Sequence, residues 1–231
     1  MRQYIGLIAA ALVAVCVVFI GKYNSYGGKS NGAALESRTP ESTFDFTLEG
    51  FMQSFNSEYE KTHESVCFTA GTKNRSVYKE PSPLFGCEAE RRIFSADKSV
   101  WPMPTYSFYS SADGGVYEIR ITFDDHSYKE NYYAQFKELC LCTEKLLMPG
   151  LSQEELQYLL ERLIVQSEVN IFGDHSAFGD PERPALDKVY RVGDIGAYGF
   201  YGSGNTEICF VPLGENAVSL LGKEGVPLVD L

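Results

Sequence analysis

Residues 4–21, YIGLIAAALVAVCVVFIG, run without a single charged side chain. A stretch of this length and composition is about long enough to cross the hydrocarbon layer of a bilayer as a helix. In water it would need a core to join, yet a polar segment follows it directly. Arg2 precedes the run, and Lys22 and Tyr23 close it with interfacial side chains. A cleaved signal peptide has a shorter apolar region followed by small residues at the cleavage site. Here Ala9, Ala10 and Ala11 lie inside the run, and Val17, Val18, Phe19 and Ile20 come after them. A lipid-anchor signal needs a small residue directly before its cysteine, whereas Val15 precedes Cys16. The run therefore reads as a single uncleaved transmembrane helix within residues 1–23, with a short cytoplasmic tail. Arg2 and the terminal amine compete with Lys22 and Lys29 for the cytoplasmic side. The short tail favours export of everything that follows, so the expected location is the cell membrane, single-pass, with the C-terminal domain outside the cytoplasm.

Residues 24–43, NSYGGKSNGAALESRTPEST, are rich in Gly, Ser and Asn and read as a flexible polar linker. Residues 44–231 form the expected domain, long enough for one full hydrophobic core. Its charge is strongly acidic. Four of the 20 Lys and Arg residues and one of the 31 Asp and Glu residues precede Thr39, which leaves 16 against 30, a net of −14. Nucleic-acid binding needs basic patches that displace counterions, so that class is excluded. The same sign argues against an anionic membrane surface as a partner for the domain itself. The membrane contact falls to the N-terminal helix.

Within the domain, Leu48, Phe51, Met52, Phe55 and Tyr59 recur at helical spacing behind Thr47, a suitable N-cap. Residues 64–70, ESVCFTA, suggest a short strand. Residues 86–97, GCEAERRIFSAD, alternate weakly but contain helix formers, and the pattern favours neither state. Tyr117, Ile119, Ile121 and Phe123 alternate with Glu118, Arg120 and Thr122. That is a strand with one dry face and one wet face that needs only solvent. Asp113, Gly114 and Gly115 supply a hairpin turn to the preceding TYSFYS. Ser127 with Glu130, and Ser152 with Glu155, match the capping box that opens a helix. Leu151 and Leu156 fit a hydrophobic staple around the second cap. Leu156, Leu159, Leu160, Leu163 and Ile164 line one helix face, and Pro149 with Gly150 separates the two helices into a hairpin. Residues 189–214 read as two or three strands, with a turn at 202–205. Helix, strands, two helices, strands is a segregated order. It predicts an α+β fold in which an antiparallel sheet is covered on one face by helices.

Cys140 and Cys142 stand one residue apart. On a helix they point about 200° apart, so they cannot grip one ion together. No second pair at zinc spacing exists, and no metal site is expected. Cys140 falls on the apolar face with Phe136, Leu139, Thr143 and Leu147, as a packing residue. Five cysteines lie beyond the anchor: Cys67, Cys87, Cys140, Cys142 and Cys209. In an exported domain a Cys67–Cys87 disulfide is the pairing expected to strain the chain least.

His63 is placed at the end of a helix and His126 before one, where neither is paired with a thiol by local sequence. The segment FGDHSAFGDPERP holds Asp174, His175, Asp180 and Glu182 in an oxygen-rich loop without calcium-loop spacing. No nucleophile elbow, phosphate loop, dinucleotide fingerprint or zinc-protease motif occurs, and no cofactor is implied. Tyr198, Phe200 and Tyr201 crowd among glycines. Alternation forbids burying Phe200 and Tyr201 on one face, so one ring is expected outward. Tyr198, Phe200 and Tyr201, with Asp174, His175 and Asp180 beside them, make the expected surface for a protein or carbohydrate partner.

An N-terminal anchor, a polar tether and an α+β module opening with FTLEGFMQSFN, where Phe55 and Asn56 sit near the end of the helix, resemble membrane-anchored exported bacterial domains. That resemblance implies architecture and carries no functional residue. The expected function is a membrane-tethered extracytoplasmic binding or interaction module. The competing expectations are a thiol-dependent enzyme or hydrolase of the cell envelope, using Cys142 or Cys140 with a histidine, and a structural subunit of an envelope assembly.

Overall fold

The computed structural model describes residues 43–63, 67–68, 76–81, 88–95, 104–111, 114–124, 130–172, 186–202, 204–223 and 225–231. The expected anchor and linker lie outside these residues. Among the described residues no helix is long and apolar enough to cross a membrane.

Helix α1, Leu48–Tyr59, starts where expected: the Thr47 hydroxyl accepts from the Gly50 N–H at 3.1 Å. Its buried face carries Phe51, Phe55 and Tyr59. Phe51 meets Phe108 edge-on at 5.5 Å, and Phe55 meets Tyr106 at 5.6 Å. These T-shaped contacts are the arrangement aromatic quadrupoles prefer. Asn56 holds a neighbouring segment at two points. Its Nδ2 donates to the Phe68 carbonyl at 2.5 Å, and its Oδ1 accepts from the Phe68 N–H at 2.8 Å. Cys67 and Phe68 form a bend where a strand over 64–70 was expected; the other residues of that segment lie outside the described residues. The amide of Asn56 satisfies the backbone groups that a strand partner would otherwise take.

Four strands follow: β1 Ser76–Pro81, β2 Glu88–Ser95, β3 Thr105–Ser110 and β4 Val116–Asp124. Glu88–Ser95, the described part of the ambiguous 86–97 segment, is thus a strand, because β1 and β3 flank it and supply both ladders. β3 and β4 form the expected hairpin, with Gly114 at φ 89° in its turn. The alternation of β4 holds for Ile119, Ile121 and Phe123 but breaks at Tyr117. The register shifts between Tyr109 and Ser110, and Val116 enters the core in place of Tyr117. An extra residue in one strand of a bulge has this effect.

Helices α2, Glu130–Leu147, and α3, Gln153–Phe172, pack as neighbours on the same side as α1. The second capping box is complete. Ser152 N–H donates to Glu155 Oε2 at 2.7 Å, and Glu155 N–H donates to Ser152 Oγ at 3.3 Å. Leu156, Leu159, Leu160, Leu163 and Ile164 are all buried, as the spacing predicts. The first capping serine, Ser127, lies outside the described residues.

The chain ends with β5 Val189–Val192, β6 Ile195–Gly202, β7 Asn205–Pro212, helix α4 Glu215–Lys223 and β8 Leu228–Asp230. The strands make one sheet in the order β1-β2-β3-β4-β7-β6-β5-β8. All pairs are antiparallel except β5 with β8, which is parallel. The α+β class stands, but the sheet is mixed and not purely antiparallel. The cause is α4, which carries the chain back across the sheet so that β8 arrives in the direction of β5. α4 also covers the other face of the sheet. Its Ala217 and Leu221 join Val189, Tyr198, Cys209, Val211 and Leu213 in a second core.

Candidate functional site

The two faces of the sheet differ in chemistry. Ile119, Ile121, Phe210 and Ala197 point to the large core under α1, α2 and α3. On the opposite face the register lines residues into rows across the strands. One row is Ser107, Arg120, Cys209 and Tyr198; the next is Thr105, Thr122, Glu207 and Phe200. On the other side of the Arg120 row stand Arg91, Tyr109 and Glu118.

Arg120 is the centre of this face. Its Nη2 donates to Glu118 Oε1 at 2.8 Å and its Nη1 to Glu207 Oε2 at 2.6 Å. Tyr198 donates its hydroxyl to the same Glu118 oxygen at 3.4 Å. The Arg120 guanidinium lies 5.3 Å from the centre of the Tyr109 ring and that of Arg91 lies 5.6 Å from it, both within cation–π range. Arg91 also donates from Nε to Ser107 Oγ at 3.1 Å. Glu118 is fully buried, and Arg120 and Glu207 are only 7% and 8% exposed. The expectation that this face needs only solvent is therefore overturned for Glu118 and Arg120, whereas Thr122 is partly exposed. Charges on a strand become internal when neighbouring strands offer matching charges at the same register, and β7 places Glu207 beside Arg120.

The electrostatics follow from burial. Burial opposes the charge on Arg120, while the carboxylates of Glu118 and Glu207 favour it. Burial also pushes the Cys209 thiol far up, so it stays neutral and the carboxylates hold the guanidinium charged. Burial raises the Glu207 carboxyl above its ordinary range, against the pull of Arg120 and Arg91. Two polar atoms on this face have no hydrogen-bond partner, Arg120 Nε and Thr122 Oγ1. Thr122 stands opposite Glu207 in one row, and Arg120 stands in the adjacent row. Thr105, Thr122 and Phe200 are partly exposed, so this row is where the cluster meets solvent.

The residues expected to form a partner surface separate. Tyr198 is 4% exposed and belongs to the Arg120 cluster. Phe200 shares its face and is half-buried. Tyr201 opposes Thr206 on the other face. Asp174, His175 and Asp180 lie outside the described residues, as does Cys87. Cys67 is buried in the main core.

Cys140 points into the core, fully buried, and its thiol is pushed well up by burial. Cys142 is half-buried with Sγ 4.0 Å from the Phe55 carbonyl, and burial raises its thiol to about 12. His63 stacks on Tyr59 at 3.8 Å and contacts Glu138 at 3.1 Å. Among the described residues no group of His, Cys, Asp and Glu is placed to hold a metal.

The Arg120 cluster escaped the reading of the sequence. Its signal was a charged pair at alternate positions of one strand, Glu118 and Arg120, with a lone Glu207 amid the apolar β7. No protein-family profile, curated protein or solved structure matches this chain.

Proposed function

We propose that this chain is a membrane-tethered binding module, with its domain outside the cytoplasm and its ligand seated on the Arg120 face of the sheet. The observation that carries the binding site is the pair of unmatched polar atoms, Arg120 Nε and Thr122 Oγ1, in a cluster whose other charges are paired. Buried polar groups are nearly always matched, so two left over just beneath a partly exposed row support a ligand at that edge of the sheet. The tether rests on the uncharged run 4–21 and the polar linker behind it. The thiol-enzyme alternative is disfavoured: a nucleophilic cysteine needs a lowered pKa, whereas Cys140 and Cys142 are both raised.

Protease shaving of intact cells tests the placement. External protease should remove the domain and leave a short membrane-bound fragment. Recovery of the intact chain in the soluble cytosol overturns the tethered, exported reading.

A further inference from the structure

Helix α3 carries an outward stripe that its own fold leaves uncovered. Among the described residues the exposed large apolar side chains are Tyr158, Val165, Val229 and Leu231. Tyr158, 46% exposed, and Val165, 51% exposed, stand on one side of α3, about two turns apart. Between them on the same stripe lie Glu161 and Arg162, both exposed. Arg162 is the single basic residue of a helix that holds four glutamates. Its guanidinium lies 4.8 Å from the centre of the Tyr158 ring. The contact orders both side chains in advance, so less freedom is lost when a partner covers them. Tyr and Arg are also side chains that interfaces favour.

The order of these residues is its own complement. Tyr158 lies three residues before Glu161, and Val165 lies three residues after Arg162. A second α3 laid antiparallel across a two-fold axis between Glu161 and Arg162 sets Tyr158 against the partner's Val165. The same operation sets Glu161 against the partner's Arg162. Each contact then occurs twice, as in any isologous interface. Glu155 meets the partner's Glu168 at the rim, and both chains are acidic. That repulsion and the small patch oppose pairing in dilute solution. Two chains held on one membrane meet at a much higher effective concentration. We propose that α3 is a homodimer interface, through which two membrane-tethered copies of this chain pair by Tyr158, Glu161, Arg162 and Val165 about that axis. The pairing rests on the proposed tether and is independent of the Arg120 face.

The test uses full chains labelled at the C-terminus with a donor or an acceptor dye and reconstituted in liposomes at a low protein-to-lipid ratio. Energy transfer between copies is expected. Glu161→Arg alone and Arg162→Glu alone each set like charges together twice, and each should weaken association about tenfold. An equimolar mixture of the two variants, donor on one and acceptor on the other, should regain most of the transfer, because unlike charges meet again. Both positions are exposed, and Val165→Lys serves in place of a variant that fails to fold. No transfer, transfer unchanged by every variant, or a mixture no better than its components overturns the proposal. Transfer unchanged by every variant assigns the pairing to another part of the chain. Absent transfer from a chain whose domain external protease still removes keeps the tether and removes the dimer. A chain that stays out of the liposomes yet pairs through these residues keeps the interface and removes the tether.

Discussion

Gly199 lies so close beneath helix α3 that a Cβ built on it would stand 1.9 Å from the carbonyl oxygen of Leu163. The neighbouring Gln166 completes the contact. Its Oε1 accepts from the Gly199 N–H at 2.9 Å, and its Nε2 donates to the Lys188 carbonyl at 2.8 Å. β5 pairs with β6 only from Ile195 to Ala197, so the Gly199 N–H lies beyond the end of that ladder. Gln166 takes the place of the missing strand, and the absent side chain at 199 lets the helix descend far enough to do so.

Gly199→Ala should therefore destabilise the domain by about 3 kcal/mol, at the upper end of overpacking costs, because the obstructing atom is backbone and cannot rotate away. Gly150 has nothing within 4 Å of the corresponding position, and Gly150→Ala should change stability little. Urea denaturation of the two variants reads the difference. Equal midpoints would show that α3 does not sit as close to β6 as described.

Arg120→Met should cost roughly 3–5 kcal/mol, because it leaves Glu118 and Glu207 buried without their cation. Adding Glu207→Gln to Arg120→Met should recover part of that loss, since one of the stranded charges is then removed. The two changes are coupled through one guanidinium, so a thermal-denaturation double-mutant cycle should be clearly non-additive. Additive behaviour would mean that the ion pairs contribute nothing to the fold.

Glu144 is fully buried on α2, and neither carboxyl oxygen has a hydrogen-bond partner. Burial raises its pKa well above 4.5, so the folded chain keeps a proton that the unfolded chain releases near that pH. The contribution is intact below the unfolded value. Stability then falls as pH rises from there through the folded value. Glu207 is raised as well and adds a slope of the same sign. Glu144→Gln cannot ionise, and it should lose less stability than the parent chain as pH rises above 4.5. Parallel stability–pH curves would show that Glu144 is ionised in the folded chain.

Cys142 should resist alkylation. With its thiol raised to about 12, few molecules carry the thiolate near neutral pH. Peptide mapping after iodoacetamide at about pH 8 should show Cys142 modified roughly a hundredfold more slowly than a free thiol, since the thiolate is the reacting form. Rapid labelling would restore the thiol-enzyme reading.

Several features were determined by local sequence alone. The Thr47 cap, the reciprocal Ser152 and Glu155 bonds, the leucine face of α3 and the inward Cys140 all depend on spacing within one helix, and spacing is visible in the chain. The β3–β4 hairpin belongs with them, because its turn residues are contiguous. Tertiary structure decided what depends on strands distant in sequence. Glu88–Ser95 became a strand through its neighbours. The Tyr109–Ser110 register shift put Val116 in the main core in place of Tyr117, which is buried elsewhere. The return of β8 beside β5 made the sheet mixed. Above all, Arg120 reads as a solvated charge until β7 sets Glu207 beside it, 87 residues away in the chain. Period-two alternation says which residues share a face; it does not say which face is buried, because burial is decided by what the rest of the chain lays over it.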